Sequence, residues 1–192
     1  MIPEVIIAAL IVAWVLGGRP DRLADAPIKH VWLVGVPVLM YAISWAACRW
    51  TVIGQGSWVF GALQLAGLAS LIFLCAINRK IPGAILIGIG VALNAIAIAS
   101  NGGFMPASKD AVAAALGQDY LHRALSEEHF RRSFMTADTR LWWLCDIIPK
   151  SIGPAIWRGA YSIGDMVMSL GVFIGIVGLS HVPKLTRRGA RD

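Results

Sequence analysis

Apolar residues along this chain gather into five long runs, over residues 2–18, 30–48, 57–77, 81–100 and 162–182, with most polar residues confined between them. Each run approaches the ~20 residues with which a helix crosses the hydrocarbon core of a bilayer. The pattern predicts five transmembrane helices. The first run carries Glu4 and has no Lys or Arg ahead of it, and the small-x-small site Ala24-Asp25-Ala26 lies beyond a charged stretch. A retained helix is therefore expected, not a cleaved signal. Pro37 in the second run is compatible with a span, because neighbouring helices can satisfy the carbonyl it frees. Gln64 lies in the third run, and Asn78-Arg79-Lys80 makes a tight turn into the fourth.

One polar segment is different in scale. Residues 101–161 separate the fourth and fifth runs, and a structureless connection of that length is uncommon. Ser108 ahead of residues 109–116, and Ser126 followed by Glu127 and Glu128, both read as N-caps with acidic first turns. A third short helix is expected over residues 141–147, closed by Pro149. The predicted fold class is thus all-α. It is a polytopic membrane helix bundle of five transmembrane helices, one integral membrane domain over residues 1–192, with an extracytoplasmic helical cap formed by residues 101–161.

Composition fits this picture. Apolar residues make up 57% of the chain and charged residues 15%, against the roughly 25% charged usual for soluble domains. The net charge of +6 does not point to nucleic acid, because the basic residues form no stripe with interleaved aromatics. They mark orientation instead. Arg19, Arg22, Lys29, Arg79, Lys80, Lys184, Arg187, Arg188 and Arg191 fall on one side of a five-span bundle, whereas Arg49 and Glu4 mark the opposite short segments. The positive-inside rule then puts the C-terminus in the cytoplasm and the N-terminus outside, in a bacterial inner membrane. Six of the eight tryptophans (Trp45, Trp50, Trp58, Trp142, Trp143, Trp157) cluster near the outer ends, where an interfacial belt is expected.

Polar side chains inside such a bundle need partners, and each is a candidate for function. Asp165 lies one turn inside the fifth run. Ser162-x-x-Asp165 matches a capping box, in which the carboxylate returns to the Ser162 amide; the alternative is a carboxylate aimed into the bundle. Asp146, in the tryptophan-rich Trp142-Trp143-Leu144-Cys145-Asp146 stretch, is either an exposed helix-end acid or the partner of Asp165. Two carboxylates sharing a semi-buried site would split their roles, one holding a proton as acid and the other ionised as base. Asn94 and Asn101 lie seven residues apart, on one helix face, with Gln64 as a partner for Asn94. Asn101-Gly102-Gly103 ahead of Pro106 reads as a helix stop, and equally as part of a binding mouth. His122 and His129, near Glu128, read as a solvated face and not as a metal site. Gly171-x-x-x-Gly175 would suit close packing or a homodimer. Of the three cysteines, Cys48 and Cys145 fall near the outer face and alone could pair, with Cys75 near the inner one. No phosphate-cradling loop, nucleophile elbow, haem spacing or zinc spacing is found, so no cofactor or metal is expected.

Leu93-Asn94, Asn101-Gly102-Gly103-x-Met105-Pro106, a histidine in the outer loop, Leu144-x-Asp146-Ile147-Ile148-Pro149 and Ser162-Ile163-Gly164-Asp165 together resemble a bacterial family of small multi-pass membrane proteins of unknown function. That resemblance implies a membrane protein and no particular activity. A second likeness is to lipoprotein signal peptidase, a small bundle with two catalytic aspartates near the outer face, one before its last helix and one at the start of it. Asp146 and Asp165, nineteen residues apart, would be the corresponding dyad. The peptidase's Asn-x-x-Asp-Arg motif is absent here, and Asn101-Gly102-Gly103-Phe104 matches its Asn-x-Gly-x-x-Phe motif loosely.

Three functions stay open on these residues. The first is binding of a small molecule, lipid headgroup or partner peptide at an outward polar mouth formed by Asn94, Asn101, Gly102, Gly103 and Ser162. The second is an aspartyl-dyad hydrolase using Asp146 and Asp165, and the third is a structural or assembly subunit. The bilayer itself is the expected partner, with a homodimer through Gly171 and Gly175 as a further one.

Overall fold

The computed structural model describes residues 1–49, 58–126, 133–154 and 157–181, without the side chains of residues 45 and 47–49. Trp50, Glu127, Glu128, His129 and the basic tail (Lys184, Arg187, Arg188, Arg191) lie outside the described residues, as do the side chains of Trp45, Cys48 and Arg49. The helix expected after Ser126 and a Cys48–Cys145 pair are therefore not described.

The chain is mostly helical. Five apolar helices form the body: α1 (Ile2–Val15), α2 (Gly35–Arg49), α3 (Trp58–Ile77), α4 (Ala84–Ser100) and, after the long polar segment, a helix over Ile163–His181. They pack as neighbours in the order α2, α3, α4, the Ile163–His181 helix, α1. Two of them, Trp58–Ile77 and Ile163–His181, are long and apolar enough to cross a membrane. The others are shorter than their apolar runs, at 14, 15 and 17 residues. At about 1.5 Å per residue these reach roughly 21–26 Å, against the ~30 Å of a hydrocarbon core. Five full-length spans are not what the helix lengths give. The reasons are local: Gly17 turns at φ +78° after α1, a 3-10 turn over Val31–Val34 takes up the start of the second run, and Gly83 at φ +79° delays α4.

Small residues line the helix contacts. A Cβ on Gly90 would stand 2.5 Å from the Gly164 carbonyl oxygen and 2.6 Å from the Met168 amide nitrogen. One on Gly171 would stand 2.7 Å from the Ile87 amide nitrogen, and one on Gly175 would stand 3.1 Å from the Pro82 carbonyl oxygen. The face carrying Gly171 and Gly175 is thus occupied by α4 and its approach within the same chain. Within this chain, Gly171 and Gly175 serve the close packing that their spacing suits.

The segment between the fourth and fifth apolar helices folds as a cap, and it is not purely helical. α5 (Lys109–Leu116) begins where Ser108 predicts, with the Ala111 N–H donating to Ser108 Oγ at 3.4 Å, and α6 (Gln118–Ser126) follows. Val112, Leu121, Ala124 and Phe134 bury a small core of their own. The helix expected over residues 141–147 is only a 3-10 turn, Trp142–Leu144. Leu141 before it is left-handed, Cys145 after it is extended, and the chain runs into strand β1 (Ile148–Lys150). β1 pairs antiparallel with β2 (Gly159–Tyr161), Ile148 opposite Tyr161. Successive β-branched residues and Pro149 favour extension over helix. β2 leads into the helix Ile163–His181, here α7.

Candidate functional site

Where α7 starts, the capping box is formed. The Ser162 N–H donates to Asp165 Oδ2 at 3.1 Å, and the Asp165 N–H donates to Ser162 Oγ at 3.0 Å. α4 completes it from the side. Asn94 Nδ2 donates to Asp165 Oδ1 at 2.8 Å, and Ser162 Oγ donates to Asn94 Oδ1 at 2.8 Å. Asn94, Ser162 and Asp165 form a closed ring across the α4–α7 seam, with Ser162 fully buried. Gly164 makes the approach possible, because any Cβ there would overlap the Asn94 amide. The partner of Asn94 is this cap and not Gln64. Asp165 is both a helix cap and a carboxylate turned into the bundle, each oxygen accepting an N–H.

Asn101 serves a different purpose. It leaves α4 as the C-cap, and its amide binds the backbone of Arg140 in both senses: the Arg140 N–H donates to Oδ1 at 2.9 Å, and Nδ2 donates to the Arg140 carbonyl at 2.9 Å. Nδ2 also donates to the Ala97 carbonyl at 2.8 Å. Gly102 and Gly103 are left-handed, and Gly103 lies against the backbone of Gly61 on α3. The helix-stop reading accounts for all three residues. Asn94 and Asn101 make separate contacts, the first to Asp165 on the last helix and the second to the Arg140 backbone.

The clamp at Asn101 sets the 141–146 turn on α4, where Leu144 and Cys145 pack on Ala97. Asp146 follows directly, with its backbone fixed: its N–H donates to the Pro106 carbonyl at 3.0 Å, and its carbonyl accepts from the Ser108 N–H at 2.9 Å. Burial, and secondarily the charge of Asp165, push the Asp146 carboxyl up to about 7. The charge of Asp165 is thus felt at Asp146. Burial likewise raises the Cys145 thiol, with Asp146 adding to it.

A second cluster adjoins the first and was not foreseen. Lys150 on β1 pairs with Glu4 on α1 and donates to the Trp157 carbonyl at 3.1 Å. The Tyr161 hydroxyl donates to the same carbonyl at 3.0 Å and accepts from the Met1 amino group at 2.8 Å. Burial raises the Tyr161 hydroxyl foremost; Lys150 opposes this, while Glu4, Asp165 and Asp146 add to it. The clusters are thus one neighbourhood. Between α1 and the β1–β2 connection lies a cavity of about 460 Å³, walled by Met1, Glu4, Ala8, Lys150, Pro154 and Trp157. The sequence did contain a signal for it: Glu4 is an ionisable residue inside an apolar run, and such a residue needs a partner.

A profile described as a family of unknown function (DUF5317) matches residues 25–177. The chain is also 27% identical, over 179 residues, to an uncharacterized protein of Thermotoga maritima, covering 92% of this chain and 90% of that protein. No solved structure matches.

Proposed function

The chain belongs to the DUF5317 family of unknown function, and from that starting point we propose a multi-pass membrane protein that binds a small amphipathic molecule, a lipid headgroup or a peptide end, at an outward-facing mouth. The observation that carries the membrane part is the distribution of side-chain size. Ile7, Ile11 and Trp14 on α1, Ile85, Ile89 and Ile96 on α4, and Met166, Leu170 and Ile174 on α7 are exposed in stripes at helical spacing. The buried positions of the same helices hold Ala9, Ala13, Gly90, Ala97, Gly164 and Gly171. Large residues outward and small ones inward suit lipid, where helices associate by close packing and not by hiding apolar surface. In water, such stripes would be an aggregation liability. All five helices span in this reading, as one domain over residues 1–192, the short ones met by local thinning of the bilayer. The Lys/Arg asymmetry supports an outer cap and a cytoplasmic C-terminus in a bacterial inner membrane.

The binding part rests on the cavity beside Glu4, Lys150 and Trp157, whose volume lies within the range of small-ligand sites. It offers an apolar wall, an ion pair and an aromatic face together. Asn94, Asn101 and Ser162 engage their polar groups within the chain, and with Gly102 and Gly103 they stand outside the lining of this cavity. The test uses a chain with Cys48, Cys75 and Cys145 replaced by Ser and Ile152→Cys added, residue 152 being 82% exposed at the cavity rim. A membrane-impermeant maleimide should label it in intact cells, and labelling only after permeabilisation overturns the orientation. A fluorescent lyso-phospholipid should bind the wild type and be lost from Trp157→Ala; equal binding by both sinks the binding site.

One observation favours a second reading. A doubly hydrogen-bonded Asp165, whose charge adds to the burial that pushes the Asp146 carboxyl up to about 7, suits the division of roles a water-activating dyad needs. This is the aspartyl-hydrolase alternative, with the likeness to lipoprotein signal peptidase behind it. It requires Asp146→Asn and Asp165→Asn each to abolish cleavage of a membrane-anchored peptide while the protein remains in the membrane. Intact cleavage in either variant excludes it.

A further inference from the structure

At the end of the bundle away from the cap, the turn at Asn78 joins α3 to α4. Asn78 is buried, and its amide binds the backbone of Lys29 in both senses. The Lys29 N–H donates to Asn78 Oδ1 at 2.8 Å, and Asn78 Nδ2 donates to the Lys29 carbonyl at 3.0 Å. Nδ2 also holds the Leu74 carbonyl at 2.9 Å, which ties the grip to the last turn of α3. These bonds draw the segment before α2 across α3 and set Lys29 beside the turn that carries Arg79 and Lys80. All three basic side chains are exposed, and none makes an ion pair with another described residue.

Beside this trio a cavity of about 310 Å³ opens between α3, α4, α7 and the Lys29 segment. Its walls include Ile28, Val34, Leu71, Ile87 and Ile176, with Asn78 and Ile81 flanking Arg79 and Lys80 in sequence. Ile28 and Val34 are exposed at its rim, so it is a recess with an open side. Its size is at the small end for a ligand site, enough for part of one hydrocarbon chain and too small for a whole lipid. Nothing in it hydrogen-bonds a polar guest, because the Asn78 amide is engaged with backbone.

We propose that this recess is a site for an anionic phospholipid, with one acyl chain in the cavity and the phosphate against Lys29, Arg79 and Lys80. It rests on the membrane reading above. An apolar recess open to a bilayer is filled by the chains around it, and Lys29, Arg79 and Lys80, next in sequence to its lining residues Ile28, Asn78 and Ile81, select among those chains by headgroup charge. Arg79 adds forked donors suited to a phosphate, and Lys29 and Lys80 add point charge. The basic trio lies on the proposed cytoplasmic side, where anionic lipids attract such clusters.

The test is native mass spectrometry of the full chain in neutral detergent, after incubation with dioleoyl-phosphatidylglycerol, dioleoyl-phosphatidylcholine, glycerophosphoglycerol (the headgroup without chains) or inorganic phosphate. Phosphatidylglycerol should be retained well above phosphatidylcholine, and neither chainless species should be retained. Lys29→Gln, Arg79→Gln and Lys80→Gln should each lower phosphatidylglycerol retention about fivefold and leave phosphatidylcholine unchanged. Equal retention of the two lipids, binding of a chainless species, or unchanged retention in the combined variant overturns the site. Alkaline extraction of membranes is measured in parallel. Release of the wild type by it overturns the membrane reading, whereas resistance without a headgroup preference overturns the lipid site alone.

Discussion

At the scale of single residues, Asp146 and Asp165 are set apart by what surrounds them. Asp165 has an N–H on each oxygen, whereas partial burial pushes the Asp146 carboxyl up to about 7. Because its folded value lies above its ordinary one, the folded protein binds more protons than the unfolded chain between about pH 4 and 7. The stability this group contributes is therefore full below about pH 4 and is lost as pH rises through about 7. Asp146→Asn should flatten that slope and make the protein more stable than wild type at pH 8. Thermal unfolding in micelles from pH 4 to 8 checks it, and an unchanged slope removes Asp146 as the titrating group. Asn94→Leu should cost about 1–3 kcal/mol for each polar group it leaves bare, Ser162 Oγ and Asp165 Oδ1. A melting temperature equal to wild type would mean that the ring carries no weight. The capping box was legible because its two members are three residues apart. Asn94 was legible as a residue in need of a partner, but the partner lies 71 positions away, and only the antiparallel packing of α4 and α7 supplies it.

At the scale of elements, apolar runs and helices are different things. The runs set where helices form, and the glycines and prolines at their edges set how long they are, as Gly17, Gly83 and the Val31–Val34 turn show. Ser108 marked the start of α5 because an N-cap acts within its own turn. The β1–β2 pair was missed because three-residue strands carry no periodicity, and their pairing partner lies beyond the turn. Glycine replacements separate the two roles of glycine in this chain. Gly35→Ala, at a helical φ with open space around it, should be neutral or slightly stabilising. Gly90→Ala should push α4 from α7 and lower the melting temperature sharply, since the new methyl meets backbone atoms that cannot move aside. Similar behaviour of the two variants would show that the α4–α7 seam is looser than its contacts.

At the scale of the whole molecule, the exposed stripes are where the proposed membrane assignment can be tested. Lys at Ile85, Ile89 and Ile96 should each cost about 2.5–3.5 kcal/mol of insertion if that face meets the bilayer centre. The triple variant should then fail to reach the membrane, as read by fractionation; a soluble, well-folded triple variant would refute the membrane assignment. One cavity lies at the cap end beside Glu4 and Lys150, and an apolar recess lies at the other end beside Asn78. Taken alone, the sequence determined the mostly helical class, the positions of the apolar helices, the start of α5 at Ser108, the Ser162–Asp165 box and the helix stop at Asn101. Each of these is written within a few turns of chain, in periodicity, capping and glycine placement. Only the tertiary structure decided that Asn94 closes on Asp165, that Asp146 shares Asp165's field, that Glu4 meets Lys150, that Gly171 and Gly175 face α4, and that Lys29 joins Arg79 and Lys80. These pairs lie far apart in sequence, so they depend on which helices become neighbours, and that is settled by packing small residues against one another across the whole bundle.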